Sequence, residues 1–173
     1  MESTYGTPLQ SSNQRLSGSL VSTSNDDVRE LIYRSCRCLD VQDFDGYIAL
    51  CTSKFRYKIT LYSPELRKDM IWLNHDRDGL AALLAMVPRH LVRLGSLQRN
   101  VTVYTIDRDE TNNSANVFSA FSVFNIDNEG RPSIFAVGHY HDTVYLSDNQ
   151  PLLVSRNARL ASRDLGIGSH IPI

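Results

Sequence analysis

The sequence predicts an α+β domain: three helices from the first half packed on a strongly curved, mostly antiparallel sheet. Three observations predict it. Apolar residues recur at helical spacing only in the first half of the 173 residues. Strict apolar–polar alternation begins at Lys54 and governs nearly everything after Arg99. Turn-forming clusters at Asp109–Asn113, Asp127–Gly130 and Asp148–Pro151 cut that second half into long strands. Helices followed by a run of strands imply segregated layers, with the helices on one face of the sheet.

Residues 1–24 are rich in Ser, Thr, Gln, Asn and Gly and lack a periodic apolar pattern, so they are expected to form a flexible arm. Residues 25–173 are expected to form one domain, and their number suffices for a core. The first helix should begin at Ser24–Asn25, with Asp26 and Asp27 at the positive end of its dipole. Val28, Leu31, Ile32, Ser35 and Leu39 form its buried stripe, and Asp40 closes it. A shorter helix capped by Asp43 buries Phe44, Tyr47, Ile48 and Cys51. In Lys54–Tyr62 the period drops to two, with Phe55, Tyr57, Ile59 and Leu61 on the dry face. A short strand is expected over Met70–Leu73. Asp76 then caps a third helix with the stripe Leu80, Leu83, Leu84 and Val87, bounded by Pro88.

The remaining strands are expected over Arg99–Ile106, Ala115–Ile126, Ser133–Leu146 and Leu152–Arg159. Two are long for a small domain and must bend, with bulges. Their alternation assigns both faces apolar residues. Ile134, Ala136, Tyr140, Val144 and Leu146 oppose Phe135, Val137, His139, His141 and Tyr145. Val117, Phe121 and Val123 oppose Phe118, Phe124 and Ile126. The helices can cover only one face, so a concave pocket or a second subunit must cover the other.

Net charge is −1 with no basic run, which gives no case for nucleic acid. No stretch reaches bilayer-spanning length and no apolar signal core stands near the start, so the expected compartment is the cytoplasm and no membrane contact is expected. Three cysteines, Cys36, Cys38 and Cys51, fit free thiols in a reducing compartment.

The strongest chemical cluster is Gly138-His139-Tyr140-His141-Asp142. On a strand, His139 and His141 share one face while Tyr140 and Asp142 share the other. Two histidines so spaced can hold a metal if a third ligand arrives. The sequence identifies none, and hydrogen-bonded histidines at a sheet face or subunit contact are the simpler reading. Asp142 on an apolar strand face needs a partner, and Arg156 or Arg159 on the next strand can reach it. A structural ion pair is favoured over catalysis. No Cys-x-His with Cys-x-x-His, no G-x-G-x-x-G, no P-loop and no G-x-S-x-G occurs.

Several segments, in order, resemble the beta subunits of Rieske-type aromatic-ring-hydroxylating dioxygenases. They are Glu30-Leu31-Ile32-Tyr33-Arg34, Leu39-Asp40, Phe44, Tyr47-Ile48-Ala49-Leu50 and Phe55-Arg56-Tyr57. Arg99-Asn100-Val101, Gly138 to Thr143, Ser155 to Leu160 and Ile171-Pro172-Ile173 continue the likeness. Tyr47, His139 and Ala161 depart from the family's common tryptophan, arginine and aspartate. The stretch from Tyr62 to Val103 looks like a divergent branch, similar to the small hydroxylase subunit of methanesulfonate monooxygenases.

The resemblance implies a cone-shaped, nuclear-transport-factor-like fold and a trimer of heterodimers with a catalytic large (alpha) subunit. That partner would hold a Rieske [2Fe-2S] cluster and mononuclear iron, fed by a ferredoxin or reductase, and would oxidise an aromatic compound or methanesulfonate as a monooxygenase or dioxygenase. This chain would carry no cofactor and no catalytic residue. Asp40, His139, Tyr140, His141, Asp142 and Arg156 would then serve structure or interface. The alternative is a stand-alone isomerase, dehydratase or cyclase of the same fold, with His139, His141 or Asp40 as acid–base groups.

Overall fold

The computed structural model describes residues 23–90, 95–147, 149–162 and 172–173, with only the backbone of 88–90. The expected arm therefore lies almost wholly outside the described residues. Helix α1 (Asn25–Asp40) opens on a reciprocal cap: the Ser24 hydroxyl accepts from the Asp27 N–H, and the Asp27 carboxylate accepts from the Ser24 N–H at 2.8 Å. The Ser24 hydroxyl also donates to that carboxylate at 2.7 Å, and the bonds accepted from the Ser24 N–H and hydroxyl hold the Asp27 carboxyl below its usual range. Its expected stripe is buried, and Cys36 and Cys38 join it. Helix α2 (Phe44–Ala49) is capped by Asp43, whose carboxylate accepts from Gly46. Helix α3 (Arg77–His90) starts where Asp76 accepts from the Gly79 N–H at 2.9 Å.

The six strands are β1 (Cys51–Ser63), β2 (Lys68–Asp76), β3 (Ser96–Asp109), β4 (Ser114–Ile126), β5 (Pro132–Tyr145) and β6 (Leu152–Leu160). They form one sheet in the order β2-β1-β6-β5-β4-β3. Every pairing is antiparallel except β1 with β6. The sheet is thus mixed, and its edges are β2 and β3.

One face packs under the helices. Phe55, Tyr57, Ile59, Leu153, Ala158, Tyr140, Val144, Val117, Phe121 and Val123 form a continuous core with Leu31, Ile32, Leu80 and Leu84. Burying each large side chain contributes about 1.5–3 kcal/mol.

Four expectations change. Cys51 opens β1 instead of closing the second helix, because the helix stops at Ala49. Strand β2 is longer than Met70–Leu73, its ladder with β1 running from Lys68 to Asp76. Helix α3 continues past Pro88 to His90; a proline near a helix end forfeits one backbone bond while its fixed φ remains helical. On β5, Ala136 pairs with Val123 but Ile134 with Phe124, so Phe135 is an extra, bulged residue. The bulge reverses the alternation. Ile134, expected on the same face as Ala136 and Tyr140, is instead 70 % exposed, while Phe135 packs against the core with them.

The face away from the helices is aromatic over β3–β5, where both faces of the long strands carry apolar residues as expected. Across β1 and β6 it carries polar pairs, in keeping with the wet face expected for Lys54–Tyr62: Thr60 donates to Asn157 at 2.9 Å, and Arg159 pairs with Asp69 at 3.0 Å.

Candidate functional site

The inward face of β5 and β6 holds a buried charge pair. Asp142 and Arg156 are directly opposite in the ladder. Nε and Nη2 of the guanidinium donate to the two carboxylate oxygens at 2.9 and 2.8 Å, with both side chains fully buried. Only such a bidentate geometry makes two desolvated charges tolerable. The guanidinium carbon lies 4.3 Å from the centroid of the Tyr140 ring, and Phe121 stacks on that ring at 4.4 Å. Burial raises the phenol pKa values of Tyr47, Tyr57 and Tyr140, and pushes the Cys51 thiol up to about 12. These groups stay protonated at neutral pH and offer no base. Arg159, the other candidate for Asp142, faces the opposite side and binds Asp69.

A second constellation joins α1, β1 and β3. The Asp40 carboxylate accepts from the Arg99 N–H at 3.1 Å and from Nη1 at 2.5 Å. The Nη2 of Arg99 donates to the Pro172 carbonyl at 2.6 Å. The Tyr57 hydroxyl accepts from the Ile173 N–H at 2.8 Å and donates to the Ile173 oxygen at 3.2 Å. Arg99, Tyr57 and Ile173 lie outside the candidates drawn from sequence. Their signal there was membership of the segments Phe55-Arg56-Tyr57, Arg99-Asn100-Val101 and Ile171-Pro172-Ile173, which resemble the family without assigning any of the three a role.

His139 and His141 point the other way. They flank Phe118 on the outward face, with ring centroids 5.0 and 4.9 Å from it, and Tyr104 adds a fourth ring at 5.8 Å. Asp40 lies on the helix side of the sheet with Arg99, so the two histidines and this carboxylate do not converge. Among the described residues, no group of three or more His, Cys, Asp or Glu is placed to hold a metal ion. No described helix is long and apolar enough to cross a membrane.

No family model matches the chain. Individual proteins do. Over 157 residues it is 40 % identical to the methanesulfonate monooxygenase hydroxylase subunit beta of Methylosulfonomonas methylovora, covering 86 % of each chain. The chain belongs to the beta-subunit family of aromatic-ring-hydroxylating dioxygenases. The 2-aminobenzenesulfonate 2,3-dioxygenase subunit beta of an Alcaligenes species is 30 % identical over 146 residues, covering 84 % of this chain and 97 % of that one. In fold, the beta subunit of benzoate 1,2-dioxygenase from Burkholderia mallei superposes with a TM-score of 0.64 at 15 % identity, over 86 % of this chain and 97 % of the other. These beta subunits share the nuclear-transport-factor-like arrangement of three helices on a six-stranded mixed sheet.

Proposed function

We propose that this chain is the non-catalytic small subunit of a multicomponent Rieske non-haem iron oxygenase and that it supports assembly of the catalytic large subunit. The observation that carries this reading is the 40 % identity, across 86 % of the chain, to a subunit of a methanesulfonate monooxygenase. Two further features support it. The acid–base candidates are divided between opposite faces of the sheet. The outward face of β3–β5 presents Tyr104, Phe118, His139 and Ile134 on the side away from the described helices, as an assembly surface requires. In this reading residues 25–173 are the folded unit and residues 1–24 an arm, and the complex is a trimer of heterodimers in the cytoplasm. The iron centres sit in the large subunit, with electrons from a separate ferredoxin or reductase. Because both curated relatives belong to oxygenases named for organosulfonates, the substrate class is an organosulfonate.

The test is co-expression with the neighbouring reading frame that encodes Cys-x-His and Cys-x-x-His. The two chains should co-purify in equal amount, and all iron should follow the large chain. The reconstituted complex should consume methanesulfonate or an arylsulfonate when supplied with reductant. A chain that ignores the large subunit, or that turns over a substrate alone, refutes the proposal.

A further inference from the structure

We propose that Tyr57, Arg99 and the adjoining core form a ligand site for a short peptide-like amide bearing a branched aliphatic side chain, and that the chain's own Pro172–Ile173 occupies it. Buried backbone is ordinarily satisfied by helix or strand partners. Pro172 and Ile173 are buried yet belong to no helix or strand. Instead the Pro172 carbonyl and the Ile173 N–H and oxygen are each met by a side chain from a distant element, Arg99 on β3 or Tyr57 on β1. The partners are 73 and 116 residues away in sequence. Proteins bind an added peptide in this manner.

Each part of the site is suited to recognition. The Arg99 guanidinium is oriented before any occupant arrives, because Asp40 holds both its backbone N–H and Nη1. The Tyr57 hydroxyl both donates and accepts, which reads an amide from two sides. The Ile173 side chain is 1 % exposed and is part of the hydrophobic core, so the site includes an apolar pocket of branched-aliphatic size. Proline at the preceding position brings no N–H that would need a partner. An open surface cleft flanked by Tyr33, Arg37, Asn100 and Val101 reaches the Asp40–Arg99 pair on one side of the site. With the segment seated the pocket is filled; with it displaced, an amide of the same shape can enter. This inference stands whether or not the assembly reading holds.

The experiment deletes Pro172–Ile173 from the full chain, in whatever assembly the chain purifies, and adds acetyl-Pro-Ile amide. Deletion should lower Tm by about 5–10 °C, from the lost isoleucine burial and hydrogen bonds. The peptide at about millimolar concentration, in the regime set by losing the covalent tether, should restore part of that loss. It should leave the intact chain unchanged, and acetyl-Gly-Gly amide should restore nothing. An unchanged Tm on deletion, or a folded deletion variant indifferent to acetyl-Pro-Ile amide, overturns the proposal. Should the deletion variant not fold, hydrogen exchange at the Ile173 amide of the intact chain decides. It should be protected, and Tyr57→Phe should speed its exchange at least tenfold while the amides of β4 and β5 keep theirs. Exchange in the intact chain as fast as in an open peptide overturns it equally.

Discussion

At the scale of single residues, the two ion pairs differ in how far the sequence discloses them. Asp142 stands on an apolar strand face with Arg156 on the next strand, and register brings them opposite, so a carboxylate in search of a cation was legible. Asp40–Arg99 spans 59 residues between a helix end and an edge strand, and no local pattern announces it. The buried pair makes a sharp prediction. Asp142→Asn leaves the Arg156 charge without its counter-ion and should cost about 3–5 kcal/mol in urea denaturation. Tyr140→Phe removes a buried hydroxyl that has no hydrogen-bond partner among the described residues, so its cost should stay within about 1 kcal/mol. Equal losses in the two variants would show that the phenol oxygen is bound after all. The titration of the interior points the same way. Burial raises the folded pKa of Cys51 from the ordinary 9.0 to about 12. A raised folded value means the stabilising contribution is complete below the unfolded pKa and is lost as pH climbs toward the folded one. The buried tyrosines, also raised, act in the same direction. Urea midpoints should therefore hold between neutrality and about pH 9 and fall above it. Iodoacetamide at about pH 8 should label Cys51 only as fast as the protein opens. A midpoint that rises above that pH contradicts this account.

At the scale of elements, caps and periods were legible and bulges were not. Ser24, Asp43 and Asp76 were readable as helix starts because a short oxygen-bearing side chain before an apolar stripe has a local physical purpose. Ser24→Ala should cost about 1 kcal/mol, seen as a shift in thermal midpoint with no change in the helical spectrum of the native state. The bulge at Phe135 has no such local mark. It follows from matching β5 to β4 over their length, and it turned the sequence-derived faces of Ile134 and Phe135 inside out. A second irregularity between Val103 and Thr105 leaves Tyr104 unpaired and projects it from the outward face at 58 % exposure. Strand β5 also depends on a glycine for closeness. A Cβ at Gly138 would stand 2.2 Å from the Arg159 carbonyl oxygen and 2.9 Å from the end of the Phe121 ring. Neither can retreat without disturbing the β5–β6 ladder or the ring stack on Tyr140. Gly138→Ala should therefore destabilise by about 1–3 kcal/mol, with hydrogen exchange accelerating first in β5 and β6. Unaltered exchange there would mean that the strands have slack the geometry does not suggest.

At the scale of the whole molecule, the fold class was legible because it depends on element order and period, which lie in the chain itself. The division of labour across the outward face was not, because it depends on lateral neighbours contributed by distant strands. Arg159 faces Asp69 and His139 lies opposite Arg159, while Phe118, next along the sheet, gathers both histidines and Tyr104. A polar half thus passes into an aromatic half within one row of side chains. The polar half satisfies its charged and polar groups through the Thr60–Asn157 and Arg159–Asp69 pairs. The aromatic half leaves Tyr104 and Ile134 largely in water, where their apolar area contributes nothing to the fold of the single chain. Such area stabilises only when something covers it, and a beta subunit has other subunits with which to cover it. Tyr104→Lys separates the two roles. Tyr104 is at a bulge on an edge strand, so the substitution should leave the thermal midpoint of the isolated chain within about 2 °C. In an assembly it places an unpaired ammonium where an aromatic ring was buried, and should weaken association about tenfold or more in sedimentation velocity. If the variant assembles as tightly as the original chain, the aromatic half is not the contact. The exposed cluster of Tyr62, Met70, Ile71 and Trp72 on the β1–β2 edge then becomes the surface to substitute.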